Sequence, residues 1–214
     1  MLRFYHMTTS TKILIGAFVI LVVALLVGQR LGFEFAGGSG FHAPLSLQRL
    51  ETVGTVTETR DNISGPVSDN PPRGATIATD VASRAKFSQG SLTLWMSEDT
   101  VLQINKLETD SVEFRIIKGR IIISNGKRSR QVTVITNKTQ TTFTEADISI
   151  VNYDFLQKVS VIPLSGSFTA SVDGGSSVTT PMPVDISEAE ATITFTSFSP
   201  SGSAAQEFYA WFNR

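Results

Sequence analysis

Between residues 75 and 172, apolar and polar side chains alternate in short runs separated by turn residues. In the clearest run, Leu92, Leu94 and Met96 share one side of the chain. Because successive side chains of a β-strand point to opposite faces, this period of two predicts half-buried strands. Many short strands with turns at roughly 8–12-residue spacing, and no helical segments between them, indicate an all-β domain. A βαβ fold is disfavoured.

The same period continues through most of this region. The further runs are Val101, Leu102 and Ile104; Val112, Phe114 and Ile116; Ile121 and Ile123; Val132 and Val134; Ile148 and Ile150; Val159 and Val161; and Phe168, Ala170 and Val172. Asn125-Gly126 lies between two runs and predicts a tight hairpin. The pattern suits either a short-stranded antiparallel sandwich or a solenoid-like β domain.

The N-terminal region has a different pattern, because Ile13 to Gly28 holds no charged residue. As a helix with a rise of about 1.5 Å per residue, this stretch covers roughly 24 Å of a bilayer core about 30 Å thick. We therefore expect a single transmembrane anchor over residues 12–33, preceded by a leader over residues 1–11. A cleaved signal peptide is the alternative, although no clean Ala-x-Ala site follows the span.

Charge around this span predicts its orientation. Arg3 and Lys12 precede it, and Arg30 follows it. The positive-inside rule then places the N-terminus in the cytoplasm and the bulk of the chain outside the cell membrane.

Two further segments flank the β domain. Residues 34–74 are punctuated by Gly, Pro, Ser and Asn, which predicts a linker, with some strand or short-helix character over residues 45–60. Residues 173–214 should add a strand at residues 191–199 and a short helix that begins near Ser203. We expect this helix to pack on the sheet, and a partner-binding terminus is the alternative.

Composition narrows the chemistry that the chain can perform. The formal net charge is −1, so nothing favours a nucleic-acid partner, and the absence of Cys excludes disulfides and thiolate chemistry. The two histidines, His6 and His42, both precede the β domain, which disfavours a Ser-His-Asp triad. We predict no catalytic, cofactor or metal residues, and no cofactor.

Acidic residues form three candidate pairs. They are Glu98 with Asp99, Glu108 with Asp110, and Glu145 with Asp147. Adjacent side chains on a strand point to opposite faces, so Glu98 and Asp99 are interpreted as turn acids. A carboxylate-dependent envelope hydrolase is the weakest of the functional alternatives.

Five residues are candidates for an interaction surface: Trp95, Lys127, Arg128, Arg130 and Trp211. The three basic residues could bind anionic lipid or an acidic wall polymer, or form a solvated tip that protects a sheet edge. Trp95 lies on the face opposite Leu92 and Leu94. It is either covered by another part of the domain or exposed as an anchor.

The order of these elements resembles that of a FecR-like domain, over residues 75–172. "ATIATDVASRAKFSQGSLTLWMSEDTVLQI" is similar to the opening of that domain, with Gly90-Ser91 as a turn, and "VEFRIIKGRIII" to its next step, with Gly119 as the glycine. "VTVITNKTQTTFTEADISIVNYDFLQKVSVIPLSGSFTASV" is similar to its closing run. Gln89 replaces the usual Asp before Gly90, and Glu145-Ala146-Asp147 replaces the usual Gly-Thr step.

The best-known members of that family are membrane-spanning regulators of sigma factors, with sigma-binding helices in the cytoplasm. Here only about a dozen residues precede the span, so the resemblance implies an extracytoplasmic β module without that cytoplasmic domain. We expect a non-enzymatic protein that acts in interaction, sensing or scaffolding at the cell envelope. Its partner would be an envelope protein or wall polymer, and a homo-oligomer stays open without support from the sequence. A regulator that relays a signal to a separate cytoplasmic protein, such as a sigma factor, is the alternative.

Overall fold

Strands dominate the described part of the chain, which in this computed structural model comprises residues 45–127, 129–198 and 203–213. In chain order the elements are β1 (Gln48–Val53), β2 (Val56–Arg60), β3 (Ile63–Pro66), β4 (Thr76–Thr79), β5 (Arg84–Gln89), β6 (Leu92–Met96), β7 (Thr100–Leu107), β8 (Ser111–Asn125), β9 (Gln131–Ile135), β10 (Thr139–Phe143), β11 (Ala146–Tyr153), a 3-10 helix (Asp154–Leu156), β12 (Lys158–Ser165), β13 (Phe168–Val172), β14 (Ser177–Thr180), β15 (Val184–Ser187), β16 (Thr192–Phe195) and the helix α1 (Ser203–Phe212). The predictions of a mostly-β fold and a short C-terminal helix are confirmed.

The strands form two arms that share β8. The first arm has the order β1-β5-β6-β8-β11-β12-β15-β16, and the second has the order β3-β2-β4-β7-β8-β9-β10-β13-β14. Residues 111–118 of β8 pair with β7 and β9 in the second arm, whereas residues 119–125 pair with β6 and β11 in the first. All of these pairs are antiparallel except β8 with β9.

Both arms turn their apolar faces into one core. In the first arm, Phe87, Leu94, Ile123 and Ile148 are neighbours in register and are fully buried. Phe114 of the second arm belongs to the same core cluster. Full burial of such a side chain stabilises the fold by about 1.5–3 kcal/mol, so the alternation that predicted the strands also supplies their stabilisation.

Gly119 marks the point at which β8 passes from one arm to the other. Its φ is +98°, a conformation that favours glycine. A Cβ at this position would lie 2.4 Å from Thr100 Oγ1 and 2.5 Å from Thr100 Cα. The separate apolar runs before and after Gly119 predicted two strands, whereas the structure has one continuous strand that changes partners.

The predicted hairpin at Asn125-Gly126 is wrong. After Asn125 the chain leaves the first arm, and β9 joins the second arm parallel to the beginning of β8. The buried Asn125 side chain donates its Nδ2 hydrogen bonds to the carbonyl oxygens of Lys127, Arg130 and Thr144. The Asn-Gly pair therefore stabilises a change of arm rather than a two-residue turn.

The predicted boundary at residue 75 also differs from the structure. Residues 48–66, which the sequence places in the linker, form β1, β2 and β3, and these pair with strands of both arms. Most side chains of β1 and β3 are exposed, so they lack the apolar alternation that predicts the other strands. Leu47 and Val56 nevertheless reach the core.

None of the helices in the described ranges has both the length and the apolar character needed to cross a membrane. The expected leader and anchor, residues 1–33, lie outside the described residues, as do residues 34–44 of the expected linker.

Candidate functional site

The outer face of the first arm is partly covered by α1. Trp95, Ile122 and Ser149 are neighbours in register on β6, β8 and β11, and they point away from the main core. The rings of Phe212 and Trp95 pack edge to face with their centroids 4.9 Å apart. The Tyr209 hydroxyl lies 2.7 Å from Ser149 Oγ. Burial raises the pKa of Tyr209 above its ordinary value. The expected packing of the C-terminal helix on the sheet is confirmed.

Both tryptophans are therefore structural residues of this seam between helix and sheet. Trp211 Nε1 donates to Glu51 Oε2 at 3.2 Å, and the Arg84 guanidinium lies 4.8 Å from the Trp211 ring centroid. Trp95 and Trp211 are each 7% exposed. The suggestion that they offer an interaction surface is not supported, because α1 and the sheet cover them mutually.

The basic cluster is not a single patch in the described part of the chain. Lys127 is exposed, whereas Arg130 is buried and Arg128 lies outside the described residues. Arg130 Nη1 donates to the carbonyl oxygen of Gln89 at 2.7 Å, and its Nε donates to that of Thr109 at 3.2 Å. Burial lowers the pKa of Arg130. This side chain therefore joins loops of the two arms instead of facing solvent.

The two adjacent acids form contacts within and beside the turn in which they lie, as expected for turn acids. Glu98 Oε2 accepts a hydrogen bond from the Ala82 amide at 2.7 Å, and Asp99 pairs with Lys118 at 2.6 Å. Asp99 adopts a φ of +50°, which Asp tolerates better than most residues. The described ranges contain no group of three His, Asp or Glu side chains that could hold a metal ion.

A cleft beside α1 is the best candidate for a functional site, and sequence reasoning missed it. Its floor is a row of side chains in register across four strands: Arg120, Val151, Ser160 and Asp185. Tyr209 of α1 lines one side, and the cleft has a volume of about 300 Å³. In the sequence these floor residues look like an ordinary solvated strand face.

The charged groups of the floor are arranged unevenly. Asp185 pairs with Lys158 at 2.8 Å and accepts a hydrogen bond from Ser160 Oγ at 2.5 Å, so its carboxylate is engaged. Arg120 contacts the Tyr209 ring with its guanidinium 6.0 Å from the centroid. The buried Nε of Arg120 has no hydrogen-bond partner in the structure. What the cleft offers to an anionic group is the positive charge of Arg120, not its buried Nε.

Exposed apolar side chains form the rim next to this floor. Leu156, which lines the cleft, is 64% exposed, and the adjacent Phe155 is 97% exposed. Tyr153, also at the cleft, is 41% exposed. The only sign of this rim in the sequence is the presence of large apolar residues within the turn "YDFL". A rim of this kind is suited to contact with another macromolecule.

No protein-family profile and no curated protein matches the sequence. Among solved structures, two crystal structures, each of a putative anti-sigma factor from Parabacteroides distasonis, share the fold with TM-scores of 0.51. Their identities to this chain are 12% and 11%, and the alignments cover 64% of this chain. They span 64% and 63% of the other chains, which is less than two thirds of their length. At this identity the likeness shows the β fold alone.

Proposed function

We propose that this chain is a single-pass, membrane-anchored protein whose extracytoplasmic FecR-like β domain acts in interaction, sensing or scaffolding at the cell envelope. The observation that carries the proposal is the fold shared with a putative anti-sigma factor. The uncharged stretch from Ile13 to Gly28 supports the anchor, and the charges around it support an extracytoplasmic domain. The role would be regulatory rather than enzymatic.

The cleft beside α1 would be the surface that binds a partner. Its rim offers the exposed Leu156, with the exposed Phe155 beside it in the chain, and its floor offers Arg120. An envelope protein that presents an apolar side chain next to a carboxylate would match both features. A neutral wall polymer would use only the polar floor and would leave Phe155 in water.

Co-purification from membranes tests this proposal. The tagged full chain, extracted in mild detergent, should retain an envelope protein that the double variant Phe155→Ser, Leu156→Ser loses at least tenfold. Ile63 and Val81 are 76% and 78% exposed and do not line the cleft. The matched control Ile63→Ser, Val81→Ser should retain the same partner. Equal recovery with both double variants would contradict the role of the cleft.

The second candidate is a regulator that relays an envelope signal to a separate cytoplasmic protein, such as a sigma factor. The description of the structural neighbours as anti-sigma factors favours it. Signal relay through the membrane would depend on the identity of the span. Replacing residues 13–28 with an unrelated apolar span should then abolish the transcriptional response while the protein remains in the membrane. An unchanged response would exclude relay through the span.

A further inference from the structure

The two arms end in four edge strands within the described residues, and β16 differs from the other three. Natural edge strands commonly carry charges, Pro or irregular pairing that prevent another strand from adding to them. β1 has Arg49 and Glu51 with a register irregularity between them, β3 ends at Pro66, and β14 is followed directly by Pro181. Residues 191–198, which include β16, contain no charged residue, no Pro and no Gly.

The rows of apolar side chains that cross the first arm end at β16, where the last side chain of each row is still apolar but no longer fully covered. Val161 and Val184 are fully buried, and the next residue in that row, Phe195, is 59% exposed. In the neighbouring row, Ile186 is fully buried and Ile193 is only partly buried. One more strand with apolar side chains on this face would cover Phe195 and complete both rows.

In the described part of the chain no strand pairs with the outer edge of β16, and the backbone presents hydrogen-bonding groups there. The Thr196 amide donates to the carbonyl oxygen of Pro183 at 3.0 Å, and these two residues are directly opposed in the register of β15 and β16. Hydrogen-bonded and non-hydrogen-bonded pairs alternate along an antiparallel ladder. The amides and carbonyls of Ile193 and Phe195 therefore point away from β15, towards the open edge.

We propose that β16 pairs antiparallel with β16 of a second copy of this chain, about a two-fold axis that passes through Thr194. In that register Ile193 lies opposite Phe195 of the second copy, and Phe195 lies opposite its Ile193. An aromatic residue opposite a β-branched one is a favourable cross-strand pair. Thr192, Thr194 and Thr196 line the other face of both strands.

Lack of charge favours a second copy over an unrelated strand. A two-fold axis brings the residues closest to it near their own copies, so a charge close to Thr194 would meet the same charge. β16 has no charged residue, so no like charges meet at this axis. A strand of four residues buries less than the roughly 1,200 Å² of a stable interface, so the dimer is reversible and depends on concentration.

The absence of cysteine from the chain makes the register directly testable. Across the axis, the two Thr194 residues form a non-hydrogen-bonded pair with Cα atoms about 4.5 Å apart, within the range for a disulfide. Two Thr192 residues would lie four residues apart along the strand direction, or about 14 Å, which is too far. Thr192 would instead face Thr196 of the second copy.

The test uses the full chain in membranes, with mild oxidation and non-reducing electrophoresis. Thr194→Cys should give a covalent homodimer, whereas Thr192→Cys and Thr196→Cys should each stay monomeric when expressed alone. Co-expression of Thr192→Cys and Thr196→Cys chains with different tags should give the mixed dimer. Because these threonines are exposed or half-exposed, the variants should keep the thermal unfolding midpoint of the wild type.

Three results would overturn the proposal. One is the absence of both the Thr194→Cys homodimer and the mixed dimer in variants with wild-type unfolding. Another is equal cross-linking of Thr192→Cys alone, which indicates random collision. The third is a Thr194→Cys cross-link to a different protein, which assigns the edge to a strand of another partner. Thr196 also lines the cleft, but these results report only whether β16 pairs with a second copy, and the proposed function is tested separately by recovery of the envelope partner.

Discussion

At the scale of single residues, Gly119 controls how the chain connects the two arms. It combines a φ of +98° with a lack of room for a side chain, since a Cβ would lie 2.7 Å from the Asp99 carbonyl oxygen. We expect Gly119→Ala to lower the free energy of unfolding by about 2–4 kcal/mol. Urea unfolding followed by far-UV circular dichroism measures this change.

Two other glycines distinguish the stability cost of a positive φ from the cost of a steric clash. Gly74 has a φ of +87°, but no atom lies within 4 Å of the position that a Cβ would take, so Gly74→Ala should cost only about 1 kcal/mol. Gly65 has neither feature, and Gly65→Ala should change stability by less than about 0.5 kcal/mol. If Gly119→Ala lowered the free energy of unfolding no more than Gly74→Ala, β7 would be able to move away from residue 119.

Arg130 is predicted to matter for stability, and Lys127 is not. The buried guanidinium satisfies carbonyl oxygens of Gln89 and Thr109, which would lose their partner in Arg130→Ala. Both hydrogen bonds are partly buried and each contributes about 1 kcal/mol, so the midpoint of urea unfolding should fall clearly. Lys127→Ala, a change in an exposed basic side chain, should leave it within error. Comparable effects of the two variants would contradict the structural role of Arg130.

At the scale of elements, the sequence predicted most strands that have an apolar alternation and missed the exposed strands β1 and β3, but it also missed β15, although Val184 and Ile186 are fully buried. The alternation of Leu92, Leu94 and Met96 identified β6 because these side chains enter the core. β1 and β3 pair with other strands mainly through their backbones, so no apolar period identified them. The change of partners within β8 depends on contacts between Gly119 and Thr100, which are 19 residues apart and leave no local signal.

The candidate site was predictable only in part for a related reason. The outer face of the first arm alternates with the core face, so Arg120, Ser160 and Asp185 follow the pattern of a solvated surface. Which of these side chains is covered depends on where α1 packs. Trp95 was recognised as ambiguous, and it is covered by Phe212 of that helix.

The packing of α1 should depend on pH through Tyr209. Burial favours the neutral phenol, so the folded-state pKa is raised above the unfolded value of about 10. The resulting stabilisation is fully present below pH 10 and is lost as the pH rises from there through the folded-state pKa. We therefore expect α1 to leave the sheet at alkaline pH before the strands unfold.

Tryptophan fluorescence can follow this step, because the two tryptophans of the chain both lie between α1 and the sheet. The emission maximum of the wild type should shift to longer wavelength above about pH 10, while the far-UV signal of the strands is retained. Tyr209→Phe has no phenol to ionise, and it should keep its emission maximum over the same range. A shift of equal size in Tyr209→Phe would assign the transition to another group.

At the scale of the whole molecule, the remaining prediction concerns the proposed membrane anchor and the side of the membrane on which it would place the β domain. Arg3 and Lys12 precede the apolar stretch and only Arg30 follows it closely, so the positive-inside rule predicts a cytoplasmic N-terminus. Single cysteines introduced into the cysteine-free chain can report the side of each segment. In intact cells, Lys127→Cys should react with a membrane-impermeant maleimide, because Lys127 is exposed on the β domain. Ser10→Cys should react only after the membrane is permeabilised. The reverse labelling pattern would place the β domain in the cytoplasm, and would contradict both the anchor orientation and a role at the outer side of the envelope.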